Sequence, residues 1–305
     1  MKDPLHYYSK PSPVTYLPEE KGITNLLRDL PETVPGIVET VQNTLLHIFW
    51  ADRYGERLNE KRSSEVNIRS AADKLRRAYE IKNTGLTEAR RNSEKVVGNC
   101  RDFTVLSVAL MRRKGIPSRA RCGFGAYFST PEMKLRYIDH WVVEYWNHEE
   151  SRWVMVDSQL DKFQRTALSI NFDPLDVPHD MFLTGGRAWK MCRAGESDPE
   201  TYGIMDMSGM GFILGDMVRD LAALYKLPLL PWDCWGVMLD EEIKEYELLD
   251  RVSDATLPGT TEYGLISDLN KHPRLKVPEK IVSWMGGTEP FEVKLSEVTE
   301  RVPHG

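Results

Sequence analysis

The first third of the chain has apolar residues at the spacing of amphipathic helices. Between residues 21 and 82 this spacing occurs twice, in Val38, Val41, Leu45, Ile48 and Phe49 and in Leu75, Ala78 and Tyr79. Residues three or four apart share one face of a helix, so the pattern predicts helices through this region. The proline-punctuated residues 1–20 favour an extended arm before it, and residues 83–97 favour a polar connection after it.

The next pattern has a defined start and end. Asn99 is a favourable N-cap, and Asp102, three residues later, completes a capping-box pair. An apolar stripe follows, and Gly115 and Pro117 are residues that commonly end a helix. The pattern therefore predicts a helix that begins at Cys100, directly after the N-cap.

Three β-strands are predicted after this helix. The segments that favour them alternate in polarity or are rich in β-branched and aromatic residues, and they are Ser118–Phe124, His140–Trp146 and Arg152–Asp157. Residues 147–150 have the composition of a turn, which predicts that the last two strands form a hairpin. One helix followed by successive antiparallel strands indicates an α+β fold.

The C-terminal part, residues 166–305, is less regular. Helices are predicted at Gly211–Lys226 and Asp240–Val252, and a strand followed by disorder is predicted after Gly286. The glycine-rich segment before the first of these helices departs from G-x-G-x-x-G, which weakens a nucleotide site. A loop or lid is the better interpretation of that segment.

Composition and charge narrow the classes of function. The chain has 305 residues, of which 41% are hydrophobic and 28% charged, and its net charge is −6. This balance is that of a soluble globular protein and argues against a nucleic-acid partner. No apolar run approaches the roughly 18–20 residues of a membrane helix, and the N-terminus has no secretory signal. The four cysteines are too scattered for a disulfide framework or structural zinc, which predicts a reducing, cytoplasmic location.

Three residues together point to nucleophilic catalysis. Cys100, at the start of a helix, faces the positive end of the helix dipole, which would lower the pKa of its thiol. In a hairpin with the loop 147–150, His140 lies directly opposite Asp157. The carboxylate would orient the imidazole, which could then take the proton of Cys100. Each residue alone is more often structural, but their joint order favours catalysis.

The motifs around these residues resemble those of the transglutaminase-like superfamily. The resemblance is strongest over residues 98–160, in Gly98-Asn99-Cys100, Gly115-Ile116-Pro117-Ser118-Arg119, Asp139-His140-Trp141 and Trp153–Asp157. Arg121–Phe124 and Asp157–Asp161 are similar to bacterial members of that superfamily. The resemblance implies a papain-like core, in which the helix that bears the cysteine packs on an antiparallel sheet. It also implies that Cys100 is the nucleophile, His140 the general base and acid, and Asp157 the orienting carboxylate.

The resemblance also suggests how the chain is divided. Residues 1–20 form the arm, and residues 21–97 form the N-terminal helical part of a catalytic domain. Residues 98–165 form the transglutaminase-like core. Residues 166–305 form a mixed, largely helical C-terminal extension that covers or shapes the cleft.

The implied activity is acyl chemistry through a cysteine. The thiolate attacks an amide, peptide or activated acyl carbonyl, an acyl-enzyme forms, and water or an amine resolves it. The backbone N–H of Cys100 is one candidate oxyanion donor, and Asn99, Trp141 and Gln159 are candidate oxyanion or substrate residues. The substrate is expected to be a peptide, a protein side-chain amide or a small acyl compound. Nucleic acid, membrane, cofactor and metal are not expected. A non-catalytic binding module with the same fold and a metal-dependent hydrolase remain as alternatives.

Overall fold

The computed structural model describes residues 3–284 and 289–296, and it mixes helices and strands as the α+β prediction requires. The α-helices are α1 (Pro4–Ser9), α2 (Lys21–Leu26), α3 (Val34–Thr44), α4 (Glu60–Ser63), α5 (Ala71–Ile81), α6 (Cys100–Arg113), α7 (Lys162–Ala167), α8 (Gly185–Arg193), α9 (Met210–Leu224), α10 (Tyr246–Ala255) and α11 (Tyr263–Leu269). The strands are β1 (Leu45–His47), β2 (Val96–Gly98), β3 (Ser118–Gly125), β4 (Tyr137–Asn147), β5 (Arg152–Val156), β6 (Phe182–Thr184), β7 (Tyr202–Ile204), β8 (Met207–Ser208), β9 (Asp233–Cys234), β10 (Lys280–Ser283) and β11 (Phe291–Lys294).

The largest sheet has six strands and is centred on β4. Its order is β6-β3-β4-β7-β8, and β5 pairs with β4 beside β7. β4 is antiparallel to β3 and β5 and parallel to β7. The three strands predicted after the cysteine helix are thus confirmed as β3, β4 and β5. Because β6, β7 and β8 belong to residues 166–305, that part of the chain extends the same sheet.

The helix that bears Cys100 is formed as predicted. α6 begins directly after Asn99, whose Oδ1 accepts the amide of Asp102 at 3.1 Å, and the Asp102 carboxylate accepts the amide of Asn99 at 3.1 Å. Gly115, at φ +73°, follows the last turn, a conformation that costs glycine little. α6 packs on β3 and β4, so the capping box determines where Cys100 stands against the sheet.

The helices predicted between residues 21 and 82 are present, with one exception. α3 ends at Thr44, and Leu45–His47 forms β1 instead of continuing the helix, so the helical assignment of Leu45 is wrong, whereas Ile48 and Phe49 begin a 3₁₀ helix over Ile48–Tyr54. β1 pairs in parallel with β2, in the register His47↔Gly98. This pairing joins segments far apart in sequence, and such tertiary contacts override a local helical pattern.

Residues 3–20 are packed against the rest of the chain rather than forming an extended arm. They contain α1, and the ring of Tyr8 is completely buried. The Tyr8 hydroxyl donates to the carbonyl of Leu224 at 2.8 Å, and its ring meets that of Trp153 edge-on, with the centroids 5.5 Å apart. The prediction of an extended arm is corrected by these contacts, which no local pattern reports.

The C-terminal elements follow the prediction in part. α9 occupies nearly the predicted residues, whereas α10 begins at Tyr246 rather than Asp240. The strand predicted after Gly286 is β11, which pairs with β10, and the predicted disorder beyond it lies outside the described residues. Within residues 3–284 and 289–296, no helix has both the length and the apolar character to cross a membrane.

Candidate active site

Cys100 is the first residue of α6 and is 8% exposed. Its sulfur accepts hydrogen bonds from the backbone N–H groups of Arg101 and Trp141. Asp102, which caps the helix, forms ion pairs with the buried side chains of Lys74 at 2.9 Å and Arg101 at 3.1 Å. These contacts hold the start of the helix rigidly and keep the thiol at the edge of β4.

His140, on β4, is held by Asp157. The Nε2 atom of His140 lies 2.9 Å from Oδ2 of Asp157, and both side chains are buried. The carboxylate is an acceptor, so the imidazole donates through Nε2 and its neutral form has an unprotonated Nδ1. An unprotonated nitrogen on a fixed ring is what a general base requires.

The hairpin that brings these two residues together differs from the predicted one. Asn147 pairs with Arg152, so the loop is 148–151, one residue later than predicted. His140 is therefore not directly opposite Asp157, and that prediction is wrong. Moving the loop by one residue shifts the register partner of His140 by two residues. A shift of two residues keeps the side chains on the same face of the sheet. The imidazole and the carboxylate consequently meet diagonally.

Tyr127 is a partner of Asp157 that the sequence did not indicate. Its hydroxyl donates to Oδ2 of Asp157 at 2.7 Å, while the backbone N–H of Gln159 donates to Oδ1 at 2.9 Å. Burial and the charge of Asp157 raise the pKa of Tyr127 well above its usual value, so the phenol remains a donor. Tyr127 lies in a short 3₁₀ helix, Ala126–Phe128, directly after β3, and no local signal connects it to the carboxylate.

The sequence predicted a low pKa for the thiol of Cys100, but its surroundings raise that pKa. Burial, followed by the negative charge of Asp139, raises the pKa of the thiol well above its ordinary value. The two backbone N–H groups at the sulfur act in the opposite direction. The positive end of the helix is present, but desolvation of the sulfur outweighs it. The prediction of a lowered pKa is therefore corrected.

The three candidate oxyanion or substrate residues occupy different surroundings. Asn99 and Gln159 line the cavity at Cys100, but Oδ1 of Asn99 is used as the helix cap and Nε2 of Gln159 donates to Gln164 at 3.0 Å. The side chain of Trp141 lies in the core cluster below α6, and its indole N–H is buried without a partner among the described residues.

A cavity of about 1600 Å³ opens beside Cys100 and His140. Its lining comes from both the N-terminal and the C-terminal parts of the chain. Half-exposed apolar side chains surround it, and they are Phe49, Met133, Met205, Met207 and Trp284. The cavity is large enough for a small molecule or a peptide segment.

A second cluster of ionisable groups lies next to His140. One ligand atom each of Cys122, Asp139 and Asp216 lies within 4.8 Å of the other two, which is a spacing that could hold a metal ion. Arg219 donates to Asp216 at 3.3 Å and already supplies positive charge. Burial raises the pKa of Asp139 to about 6 and that of Asp216 well above its usual value. These carboxyl groups have the raised pKa values of a pair that shares a proton.

His47 is a further buried residue of the same cavity that the sequence did not single out. It ends β1 and pairs in register with Gly98, two residues before Cys100. Its Nδ1 accepts the backbone N–H of Phe49 at 3.2 Å. Its position in an apolar repeat suggested a helix face, and no spacing to other histidines indicated a role.

Comparisons with known proteins give a family match for the central part of the chain and one similar solved structure. Residues 53–158 match the profile described as the transglutaminase-like superfamily, which confirms the resemblance. The solved structure of a candidate cysteine protease from Cytophaga hutchinsonii aligns with 58% of this chain and 44% of its own, at 17% identity and a TM-score of 0.32. The chain thus spans less than half the length of that protein. No curated protein matches the chain.

Proposed function

Because residues 53–158 belong to the transglutaminase-like superfamily, we propose that this protein is a cysteine enzyme that acts on an amide, peptide or activated acyl substrate. Cys100 is the nucleophile, His140 the general base and acid, and Asp157 the residue that orients the imidazole. The observation that carries the proposal is the 2.9 Å hydrogen bond from His140 to Asp157 in the cavity that Cys100 lines.

The reaction begins from a neutral thiol. Since burial raises the pKa of Cys100, its proton moves to Nδ1 of His140 as the sulfur attacks the carbonyl carbon. The new C–S bond forms while the π electrons move to the carbonyl oxygen, where backbone N–H donors stabilise the charge. Collapse expels the leaving group, which takes the proton from His140, and leaves an acyl group on Cys100. Water or an amine then repeats these steps in reverse.

The surroundings of the cavity favour a substrate with an apolar portion. The five half-exposed apolar side chains at its mouth, Phe49, Met133, Met205, Met207 and Trp284, would lose contact with water on binding. Methionine adapts to ligands of different shape. A hydrophobic peptide or acyl group therefore fits better than a highly charged one.

The cytoplasmic location is kept as part of this proposal. It rests on the four cysteines, which are all free thiols. The alternative function is a non-catalytic binding module that retains the fold. The two functions differ in one expected property, since a binding module needs no reactive thiol at position 100.

The test is residue-resolved alkylation. The protein is treated with limiting iodoacetamide from about pH 6 to 9, and modification of all four cysteines is followed by mass spectrometry. Cys100 should react faster than Cys122, which is also buried. His140→Ala should slow Cys100 by about 10²-fold, the contribution of a positioned base. His148→Ala, which removes an exposed histidine from the hairpin loop, should leave the rate unchanged.

Three outcomes would contradict the proposal. If Cys100 reacts no faster than Cys122, or if the two histidine variants behave alike, His140 does not activate the thiol. A Cys100 that is alkylated but never acquires an acyl group from p-nitrophenyl acetate would favour the binding module.

A further inference from the structure

His47 lies at the end of β1, beside the strand that leads into Cys100. β1 and β2 are parallel neighbours, and adjacent strands lie about 4.8 Å apart. Because His47 is in register with Gly98, it stands beside the turn that leads into Cys100. His47, Cys100 and His140 all line the same cavity.

The orientation of the His47 ring is determined by its neighbours. Nδ1 accepts the N–H of Phe49, so in the neutral ring the proton is on Nε2. The ring packs between those of Phe49 and Phe103, with centroids at 5.7 and 6.2 Å. Phe103 is on α6, one turn after Cys100, and this contact keeps the ring at the start of the helix.

The Nε2 atom of His47 is available to a ligand. Within the described part of the chain, Nε2 has no hydrogen-bond partner. It is also not completely buried. It is therefore a donor that remains accessible from the cavity. A donor held in place without a protein acceptor is what a developing negative charge on a substrate oxygen requires.

The ring remains a neutral donor over the working range of pH. Burial, followed by the nearby His140, lowers the pKa of His47 to about 3. His47 therefore does not compete with His140 as the base for the thiol, and it keeps its Nε2 proton. A neutral imidazole can stabilise a developing oxyanion by donating a hydrogen bond.

The other side-chain donors at the site are less suitable. Asn99 lines the cavity, but its Nδ2 atom is buried, and the indole N–H of Trp141 is also buried and lies in the core. The Nε2 atom of Gln159 already donates to Gln164. Compared with these three donors, the Nε2 atom of His47 is both without a protein acceptor and accessible from the cavity at Cys100.

We propose that the Nε2–H of His47 is the second oxyanion donor, and that it acts with the backbone N–H of Cys100. That amide begins α6 and has no intrahelical acceptor. The inference rests on the proposed function. When the sulfur of Cys100 adds to a carbonyl, the charge on the carbonyl oxygen is held between these two donors until the leaving group departs.

The experiment compares two reactions of the same sulfur. Acylation by p-nitrophenyl acetate forms a C–S bond, passes through an oxyanion and releases p-nitrophenolate. Alkylation by iodoacetamide displaces iodide and forms no oxyanion. The ratio of the two rates at Cys100, measured by mass spectrometry, therefore reports the oxyanion donors separately from the reactivity of the thiol.

The variants are His47→Phe, which keeps a planar ring without a donor, and His47→Gln, whose amide can donate. His47→Phe should lower the acylation-to-alkylation ratio by about 10²-fold, the usual cost of one oxyanion donor. His47→Gln should retain most of the ratio.

Several results would overturn the inference. One is an acylation-to-alkylation ratio that is unchanged in His47→Phe. Another is an equal fall of the acylation and alkylation rates in His47→Phe, which indicates a structural role. The third is a loss of the ratio in His47→Gln that equals the loss in His47→Phe. In each of these cases the parent protein is still acylated at Cys100. If instead the parent protein is not acylated, or Cys100 is inert to both reagents, the proposed function fails and the inference fails with it.

Discussion

At Cys100, the acidity of the thiol is decided by opposing neighbours. Two backbone N–H groups stabilise the thiolate, while burial and the carboxylate of Asp139 oppose it. Asp139 titrates near pH 6, so above that pH it is ionised and its charge acts on the sulfur. The reactivity of Cys100 therefore depends on a residue that takes no part in the bond changes of the proposed reaction.

Replacing Asp139 by asparagine should make Cys100 more acidic. Asparagine keeps the size of the side chain beside Asp216, whose oxygen lies within 4.8 Å of an Asp139 oxygen, while the charge is lost. The pKa of the thiol should fall, and alkylation of Cys100 at pH 7.5 should be about 3- to 10-fold faster. Asp180→Asn, at an exposed position, is the control. An equal rate in Asp139→Asn and the parent would mean that Asp139 is uncharged at this pH.

Among the elements, β4 positions more of the site than any other. It carries His140 and Asp139, supplies the amide of Trp141 to the sulfur, and pairs with β3, β5 and β7. The register of the β4–β5 hairpin brings Asp157 to His140. Hydrogen bonding along the strand fixes these side chains, and sites on regular elements are held more accurately than sites on loops.

Gly123, on β3, allows β6 to join the sheet beside His140. It is the register partner of His140, and a Cβ atom there would lie 2.1 Å from the carbonyl oxygen of Leu183 and 2.7 Å from Cα of Thr184. These are backbone atoms, so β6 would have to move away. Gly123→Ala should lower the free energy of unfolding by about 1–3 kcal/mol, as overpacking does.

The control for this prediction is another glycine. Gly264 is in α11, and a Cβ atom there meets nothing within 4 Å. Gly264→Ala should raise the free energy of unfolding by about 0.5–1 kcal/mol, because alanine favours a helix. Urea denaturation measures both variants, and equal stability of Gly123→Ala and the parent would show that β6 can move at no cost.

Over the whole molecule, buried ion pairs join the sheet to the C-terminal helices. Arg121, on β3, pairs with Glu144 on β4 and with Asp220 on α9, each at 2.8 Å. Arg119 pairs with the same Glu144 at 2.6 Å and donates to the carbonyl of Thr260. Loss of one partner would leave a buried charge uncompensated, which costs about 3–5 kcal/mol. The cavity wall from residues 166–305 is therefore held firmly to the core.

Acid should destabilise the fold through His47. Its pKa is about 3 in the folded protein, whereas an unfolded chain has the ordinary value near 6.5. The unfolded state then binds the proton first, so the stability that neutral His47 contributes is present above about pH 6.5 and is lost as the pH falls towards 3. Between pH 7 and pH 5 this loss is about 2 kcal/mol.

The measurement is urea denaturation of the parent and of His47→Gln at both pH values. Glutamine does not titrate, so the difference in unfolding free energy between the two proteins should change by that amount. The raised pKa of Asp139 acts in the opposite direction, since it adds stability as the pH falls through 6. It is common to both proteins and cancels in the difference. A difference that does not change with pH would show that His47 is not neutralised by burial.

The features that the sequence predicted well depend on neighbours in the chain. The capping box at Asn99 and Asp102 and the glycine at the helix end determine α6, and alternation and branching determine β3 to β5. The family match covers residues 53–158, which include these segments. The helix that presents Cys100 and the strand that carries His140 were therefore predictable.

What the sequence determined by itself is the fold class, the family match over residues 53–158, the elements that bear Cys100 and His140 and the strand that leads to Asp157, because short-range interactions specify them. Tertiary structure alone decided that β1 brings His47 to the cavity, that Tyr127 holds Asp157, and that the thiol is desolvated. These properties arise from contacts between segments distant in sequence and from exclusion of water. Tertiary contacts and the exclusion of water produce no periodic pattern in the sequence, so these properties can be recognised only in the folded structure.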